Sequence, residues 1–261
     1  MSSILRVKDF ALSGLALGNT LSEKWAIFWR QTKNIRVRLH LGQYHPQEVY
    51  RLNTAFGPLY FRDNFGDITN LANLLYREVY PIKQLSPPGV ILDVGANIGL
   101  AAVWFSHFNP EREIYCLEPI PDNVAMIRRN CPQAHVKAVA VGAGEGEIEL
   151  AVDADNVMAA HNMSYTWETA VTTFKTISLD NFVAAQRITQ IALLKMDTEG
   201  SELDIFSGAQ QTLLITQQVA METHGEERHN SSRLCLQAAD FIIDDEEFDG
   251  QTGMIFASRP E

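Results

Sequence analysis

Cysteine is scarce. Cys116, Cys131 and Cys235 lie far apart with no C-x-x-C between them. That excludes a disulfide framework and a zinc site, and the usage is that of a reduced, intracellular protein, expected in the cytoplasm. Long apolar runs are missing as well: no stretch approaches the roughly 20 residues that cross a bilayer. The mildly apolar segment from Ala11 to Leu17 is interrupted at Gly14 and lacks a clear basic start, so it does not read as a signal peptide, and no membrane partner is expected. Basic residues are in the minority, 21 Lys and Arg against 32 Asp and Glu, for a formal net charge of −11. Nucleic acid is thereby disfavoured as the main partner, because phosphate binding needs a basic face. A small molecule, a sugar or a peptide is expected instead. Neither repeats nor low-complexity segments occur. What remains, with 46% hydrophobic and 20% charged residues, is an ordinary globule of one large α/β domain or one domain plus an appendage.

Residues 1 to about 85 read as an α+β lead-in. Thr20-Leu21-Ser22-Glu23 fits a capping box, and Leu21, Trp25, Phe28 and Trp29 follow at helical spacing. That aromatic face is expected to pack on the main domain, a lid or a homodimer contact being the other use for it. Ile35, Val37, Leu39 and Leu41 alternate with Arg36, Arg38 and His40, which predicts a half-exposed strand. Val49 to Asn53 and Leu59 to Arg62 predict two more strands, and Asp67 is expected to cap a helix that ends before Pro81. After the linker around Pro87, Pro88 and Gly89, residues 86 to 261 alternate strand and helix. Apolar strands are predicted at Val90–Val94, Glu113–Leu117, Val136–Val141, Ile191–Met196 and Val219–Met221, with a closing antiparallel pair at Phe241–Ile243 and Met254–Ser258. Such alternation means a parallel sheet covered on both faces.

In a doubly wound sheet, ligands bind beyond the carboxyl ends of the strands. The first strand there runs into D-x-G-x-N-x-G: Asp93, Gly95, Ala96, Asn97 and Gly99, with a helix beginning at once. The second ends in Glu118 and Pro119, the third in Ala140 and Val141, the fourth in Asp197 and Glu199, and the fifth in Glu222 and His224. Glu118 follows the glycine turn by the interval at which an acid grips a ribose diol. Asn97 stands where a dinucleotide motif needs its second glycine, and the surrounding carboxylates repel a diphosphate but suit a sulfonium and an ammonium group. The expected cofactor is therefore S-adenosyl-L-methionine.

Four segments carry a resemblance: D-V-G-A-N-I-G from Asp93 to Gly99, Leu117-Glu118-Pro119, L-K-M-D-T-E-G-S-E from Leu194 to Glu202, and M-E-T-H from Met221 to His224. Together they resemble the FkbM family of S-adenosylmethionine-dependent methyltransferases. The resemblance implies a Rossmann-like class I methyltransferase fold, with a seven-stranded, mostly parallel sheet. It further implies that Asp93 and the Gly95–Gly99 turn hold the methionine moiety and Glu118 the ribose. Pro119 and Ile120 would take one adenine face, backbone groups near Ala140 and Val141 the adenine edge, and Asp197 the amino or sulfonium end. The expected reaction is O-methylation of a hydroxyl on a small natural product or sugar. His224 is the expected base, as the ionisable group of near-neutral pKa at the fifth strand end, with Asp197 beside it and His161 in reserve. No spacing fixes a metal, so none is assigned; a magnesium ion on Asp197, Glu222 and His224 is the alternative. Lys195, inside an apolar strand, is expected to pair with one of the acids. The segment from Asp153 to Trp167 could serve as a substrate lid. A nicotinamide-dependent reductase and a non-catalytic adenosine-binding relative are the competing readings. Asn97 in the turn speaks against the first, and the retained acids against the second.

Overall fold

The structure is a computed structural model, described here for residues 16–75, 79–152 and 170–260. It opens with α1 (Leu21–Gln31), capped as expected: the Thr20 hydroxyl accepts from the Glu23 N–H, and the Glu23 carboxylate takes the Thr20 N–H at 2.8 Å. The face that α1 buries is not the aromatic one. Ile27 and Gln31 are fully buried, whereas Leu21, Trp25 and Trp29 are 73%, 61% and 55% exposed. The expected burial of Trp25 and Trp29 on the main domain is therefore corrected.

The strand predicted at Ile35–Leu41 is also corrected: Lys33–Arg38 is a short helix, α2. Its two-residue alternation loses to tertiary contacts. Lys33 pairs with buried Asp63, and buried Asn34 donates to the Thr69 hydroxyl at 2.9 Å and accepts from the Tyr44 hydroxyl at 2.9 Å. The antiparallel hairpin β1 (His45–Thr54) and β2 (Gly57–Asp63) follows as predicted, then α3 (Phe65–Leu75). Asp67 does not cap α3. The Asn64 side chain does so by accepting the Asp67 N–H at 2.7 Å, leaving the Asp67 carboxylate to bind the Arg62 guanidinium through two bonds of 2.9 Å.

The main sheet is built from β3 (Val90–Val94), β4 (Ile114–Leu117), β5 (His135–Lys137), β9 (Ile191–Met196), β10 (Thr216–His224), β11 (Ile242–Phe248) and β12 (Thr252–Ser258). Its order is β5-β4-β3-β9-β10-β12-β11. The first five strands in this order run parallel, and β12 lies antiparallel between β10 and β11. This is the seven-stranded Rossmann-like arrangement of class I methyltransferases. Helices α4 (Leu100–Phe108), α5 (Pro121–Asn130), α6 (Leu179–Gln186), α7 (Glu202–Ser207), α8 (Gln210–Leu214) and α9 (Glu226–Ala238) connect or follow the strands. All six residues of β9 are buried, and successive strand residues feed two apolar clusters on opposite faces. The cluster on one face joins Ile91, Leu193 and Ala220 of the sheet to Trp104 and Phe105 of α4 and to Ile27, Leu59, Phe61 and Leu71 of the N-terminal elements.

The third strand predicted at Val136–Val141 is divided. Only His135–Lys137 joins the main sheet. Ala140–Val141 is β6, which pairs with β8 (Ala170–Ile177) in a separate sheet of order β6-β8-β7, with β7 at Gly146–Val152. The stretch considered as a lid, with His161, falls outside the described residues.

Candidate active site

Strand β3 ends at Val94, just after the fully buried Asp93, and the backbone then turns through Gly95 (φ +72°), Asn97 (φ +50°) and Gly99 (φ +83°). Left-handed conformations are open to glycine and tolerated by asparagine, so this residue pattern shapes the turn before α4 starts at Leu100. Gly95 is demanded by contact as well: a Cβ there would lie 1.8 Å from the Asp197 carbonyl oxygen. Gly99 has a different reason. A Cβ would press on α5 at 3.2 Å from the Ile127 Cα, so its lack of a side chain lets α4 and α5 approach.

Behind the turn, Lys195 is buried in β9. Its ammonium sits 2.9 Å from Asp93 Oδ1 and donates to the Gly95 carbonyl at 2.8 Å. Burial works to lower its pKa, but the Asp93 and Asp197 charges outweigh that and raise it; burial raises the Asp93 carboxyl. The expected pairing of Lys195 with an acid is met, and it ties the first and fourth strands together under the glycine turn. Substituting Lys195 by Met leaves Asp93 buried without its cation and is expected to cost about 3–5 kcal/mol of stability. Urea denaturation measures this, and adding Asp93→Asn should recover part of the loss.

Glu118 is nearly buried at the end of β4, and burial pushes its carboxyl up to about 7 despite several donors. Oε2 accepts the Asn97 N–H at 2.9 Å, while Oε1 accepts from the Ile120 N–H at 3.0 Å and the Asn123 amide at 3.1 Å. A carboxylate has about four acceptor sites. Glu118 thus clamps the glycine turn to the start of α5 and keeps one acceptor site on Oε2.

Two cavities open on the carboxyl edge. The smaller lies between Glu118, Pro119, Ile120 and Asn123 on one side and Val139, Ala140, Val141, Ile148 and Leu150 on the other. The larger, ≈ 790 Å³, is walled by Asn70, Asn73 and Leu74 of α3, by Tyr80, Ala96, Lys195 and Glu222, and by Phe248, Thr252 and Met254 of the closing strand pair. Gly95, Asn97 and Asp197 line both. Of the expected cofactor contacts, Gly95, Asn97, Glu118, Pro119, Ala140, Val141 and Asp197 come together around the smaller cleft, and Ala96 faces the larger. Asp93 and Gly99 line neither. Their part is to support the turn from below.

The lining of the smaller cleft would suit the adenosine part of S-adenosylmethionine. Its apolar walls suit a flat ring, and Asn97 Oδ1 and Thr198 Oγ1 are buried without a hydrogen-bond partner, as polar groups awaiting a ligand would be. Glu118 and Asn97 would hold the ribose side, Pro119, Ile120 and Val139 to Val141 the base, and Asp197 the charged end.

Beyond Asp197, β10 outruns β9. Its last pairing with β9 is Met221 to Met196, while Glu222, Thr223 and His224 pair with β12 alone. Glu222 and His224 therefore point to one side of a strand end, into a group of carboxylates. His224 Nδ1 lies 2.7 Å from Glu202 Oε1, and Nε2 lies 3.3 Å from Glu199 Oε2 and 3.8 Å from Glu222 Oε1. Burial alone would lower the imidazole pKa, but the bond to Glu202 and the charges of Glu199 and Asp197 raise it to about 9. Held between acids, the imidazole is favoured in its protonated form, and His224 lines neither cavity, which sets the expected base back from the acceptor side. Asp197 raises the neighbouring Glu222 carboxyl to about 8, with burial adding to the shift, and Glu222 does face the larger cavity. The sequence marked Glu222 as a strand-end acid and as one ligand of the alternative magnesium site; its shifted pKa follows from spatial neighbours. Asp197, Glu199 and His224 offer ligand atoms within 4.8 Å of one another and are the described residues best placed for a metal.

Comparison with known proteins places this architecture. The Methyltransferase FkbM domain model matches residues 93–244. The chain is 25% identical over 171 residues to the 2-O-methyltransferase NoeI of Sinorhizobium fredii, covering 59% of this chain and 70% of that protein. It is 25% identical to the hexuronic acid methyltransferase AglP of Haloferax volcanii, covering 55% of this chain and 59% of that protein. It is 26% identical to the 31-O-demethyl-FK506 methyltransferase FkbM of Streptomyces tacrolimicus, covering 53% of this chain and 69% of that protein. The match begins at Asp93 and takes in the glycine turn, Glu118, Asp197 and His224, so the nicotinamide-reductase reading is set aside. On this match and on the strand order, the chain belongs to the FkbM family and is an S-adenosylmethionine-dependent methyltransferase.

Proposed function

We propose that the protein O-methylates a hydroxyl of a sugar or another small polyhydroxylated natural product. The observation that carries this reading is the junction of the two cavities. A ligand in the Glu118 cleft and an acceptor in the ≈ 790 Å³ cavity would meet at Gly95, Asn97 and Asp197. The amide and hydroxyl groups of Asn70, Asn73 and Thr252 and the ring faces of Tyr80 and Phe248 match a polyol with apolar ring faces. All three relatives bear names of methyltransferases, and two of those names specify oxygen.

The cofactor supplies an activated methyl group and a neutral leaving group. The chain's own residues supply alignment and proton removal. Gly95 and Asn97 set the wall between the cavities, and Lys195 holds that wall from behind. Glu222 is the proposed base: its carboxylate faces the acceptor side, and its raised pKa brings it near working pH. His224 is a positioning residue, whose positive charge keeps Glu199, Glu202 and Glu222 close together.

Incubation with methyl-labelled cofactor and a panel of glycosides, followed by NMR of the product, tests the reaction. A methyl ether is expected; a methyl ester or methylamine would overturn the reading. Calorimetric titration with S-adenosylhomocysteine tests the cleft separately. Glu118→Ala is expected to weaken that binding by about 1.5–3 kcal/mol, the size of a charged hydrogen bond; unchanged affinity would remove Glu118 from the cofactor site.

A further inference from the structure

The helical pair at the N-terminal end presents a face that the other described residues leave uncovered. Leu21, Trp25 and Trp29 recur every fourth residue along α1 and stay 73%, 61% and 55% exposed, while the opposite side buries Ile27 and Gln31. Leu39 and Leu41, which follow α2, are 60% and 71% exposed. Arg36 lies against Trp29: its guanidinium sits 3.9 Å from a ring centroid and donates to the Trp29 carbonyl at 2.9 Å.

The charge of this segment opposes that of the whole. Residues 20–42 hold Lys24, Arg30, Lys33, Arg36 and Arg38 against the single acid Glu23, in a chain of formal net charge −11. Lys33 is neutralised by Asp63, and the others leave the segment basic. It also lies outside residues 93–244, the part matched by the family model.

We propose that the α1–α2 face docks on the surface of an anionic phospholipid bilayer. Tryptophan and leucine on one side of a helix, flanked by lysine and arginine, suit the headgroup boundary: the rings enter the apolar margin while the cations meet lipid phosphates. A second copy of the chain fits less well. Two-fold pairing through this face would set its basic residues against the same basic residues. No spanning helix is required, and none occurs among the described residues. The docked pair would stand next to the acceptor cavity, because Asn34 of α2 bonds to Thr69 of α3, the helix that supplies Asn70, Asn73 and Leu74 to the cavity wall.

Co-sedimentation of the full chain with vesicles tests this. Binding to phosphatidylcholine vesicles containing phosphatidylglycerol is expected to exceed binding to pure phosphatidylcholine at least about tenfold, to fall steeply as salt is raised, and to shift tryptophan emission to shorter wavelength. Trp25→Ser with Trp29→Ser, and separately Lys24→Glu, should each cut binding by about tenfold or more with the thermal melting curve retained, since these side chains are not in the core. No binding to phosphatidylglycerol vesicles, or equal binding to both kinds, would overturn the proposal. So would a dimeric mass in light scattering that reverts to monomer in the double tryptophan variant.

Discussion

Replacing Gly95 by alanine is expected to abolish cofactor binding and to destabilise the fold. Gly95 sits at φ +72°, and an alanine Cβ would fall 1.8 Å from the Asp197 carbonyl oxygen. That oxygen belongs to backbone, so no side-chain rotation relieves the overlap; β3 and β9 must part. Their join is also where the Asp197 N–H donates to the Val94 carbonyl at 3.0 Å and Lys195 donates to the Gly95 carbonyl. Left-handed strain of about 1–3 kcal/mol adds to the overlap. A loss of stability on the order of 3–5 kcal/mol follows. Titration with S-adenosylhomocysteine should show affinity reduced ~100-fold or more, because Gly95, Asn97 and Asp197 move together. Wild-type affinity and melting temperature in this variant would mean that the turn does not form the cofactor wall. Gly99→Ala should differ in kind. Its conflict is with Ile127 on α5, so stability should fall more than cofactor contact does.

Glu222→Gln is expected to lower kcat by about 10²–10⁴-fold while S-adenosylhomocysteine still binds. The neutral amide keeps the shape but cannot take the acceptor proton. The pH profile separates this from a structural effect. Asp197 holds the Glu222 carboxyl up at about 8, so wild-type activity should rise as the pH passes through that value and the carboxylate forms. The variant should lose this rising limb. His224→Ala should behave differently again. Without the imidazolium, Glu222 loses a stabilising positive charge and its pKa moves further up, carrying the rising limb to higher pH. A His224→Ala variant that lost the limb altogether would return the base role to His224.

Much of the fold was legible because local pattern and tertiary need agreed. Val90–Val94 and Ile191–Met196 are short apolar runs broken by glycine or acid, and they form the two central strands. The hairpin, the tail pair and the Thr20 capping box carried their own punctuation. Where pattern and contact disagreed, contact won. Ile35 to Leu41 alternates like a strand, but Lys33 and Asn34 find buried partners only from a helix. Asp67 resembles a cap until Arg62 is seen to occupy both its oxygens, with Asn64 capping instead. Val136 to Val141 reads as one strand, yet Val139 donates to the Glu118 carbonyl and the chain crosses to a second sheet.

The site divides in the same way. Sequence alone determined which acids stand at the strand ends and that a glycine turn follows the first strand, and it pointed to a sulfonium cofactor, which the family match then supported. These depend on residue type and spacing along one chain, and spacing is what a sequence records. Only the tertiary structure decided what each group does. It turned Glu118 into a clamp with one acceptor site left, set Asp93 and Gly99 behind the cleft, and raised the pKa values of both His224 and Glu222 through their charged neighbours. It also left Trp25 and Trp29 facing outward. The physical reason is common to all of these. Burial, charge proximity and the partners of a hydrogen bond are sums over neighbours that lie far away in the chain, and folding alone brings those neighbours within reach.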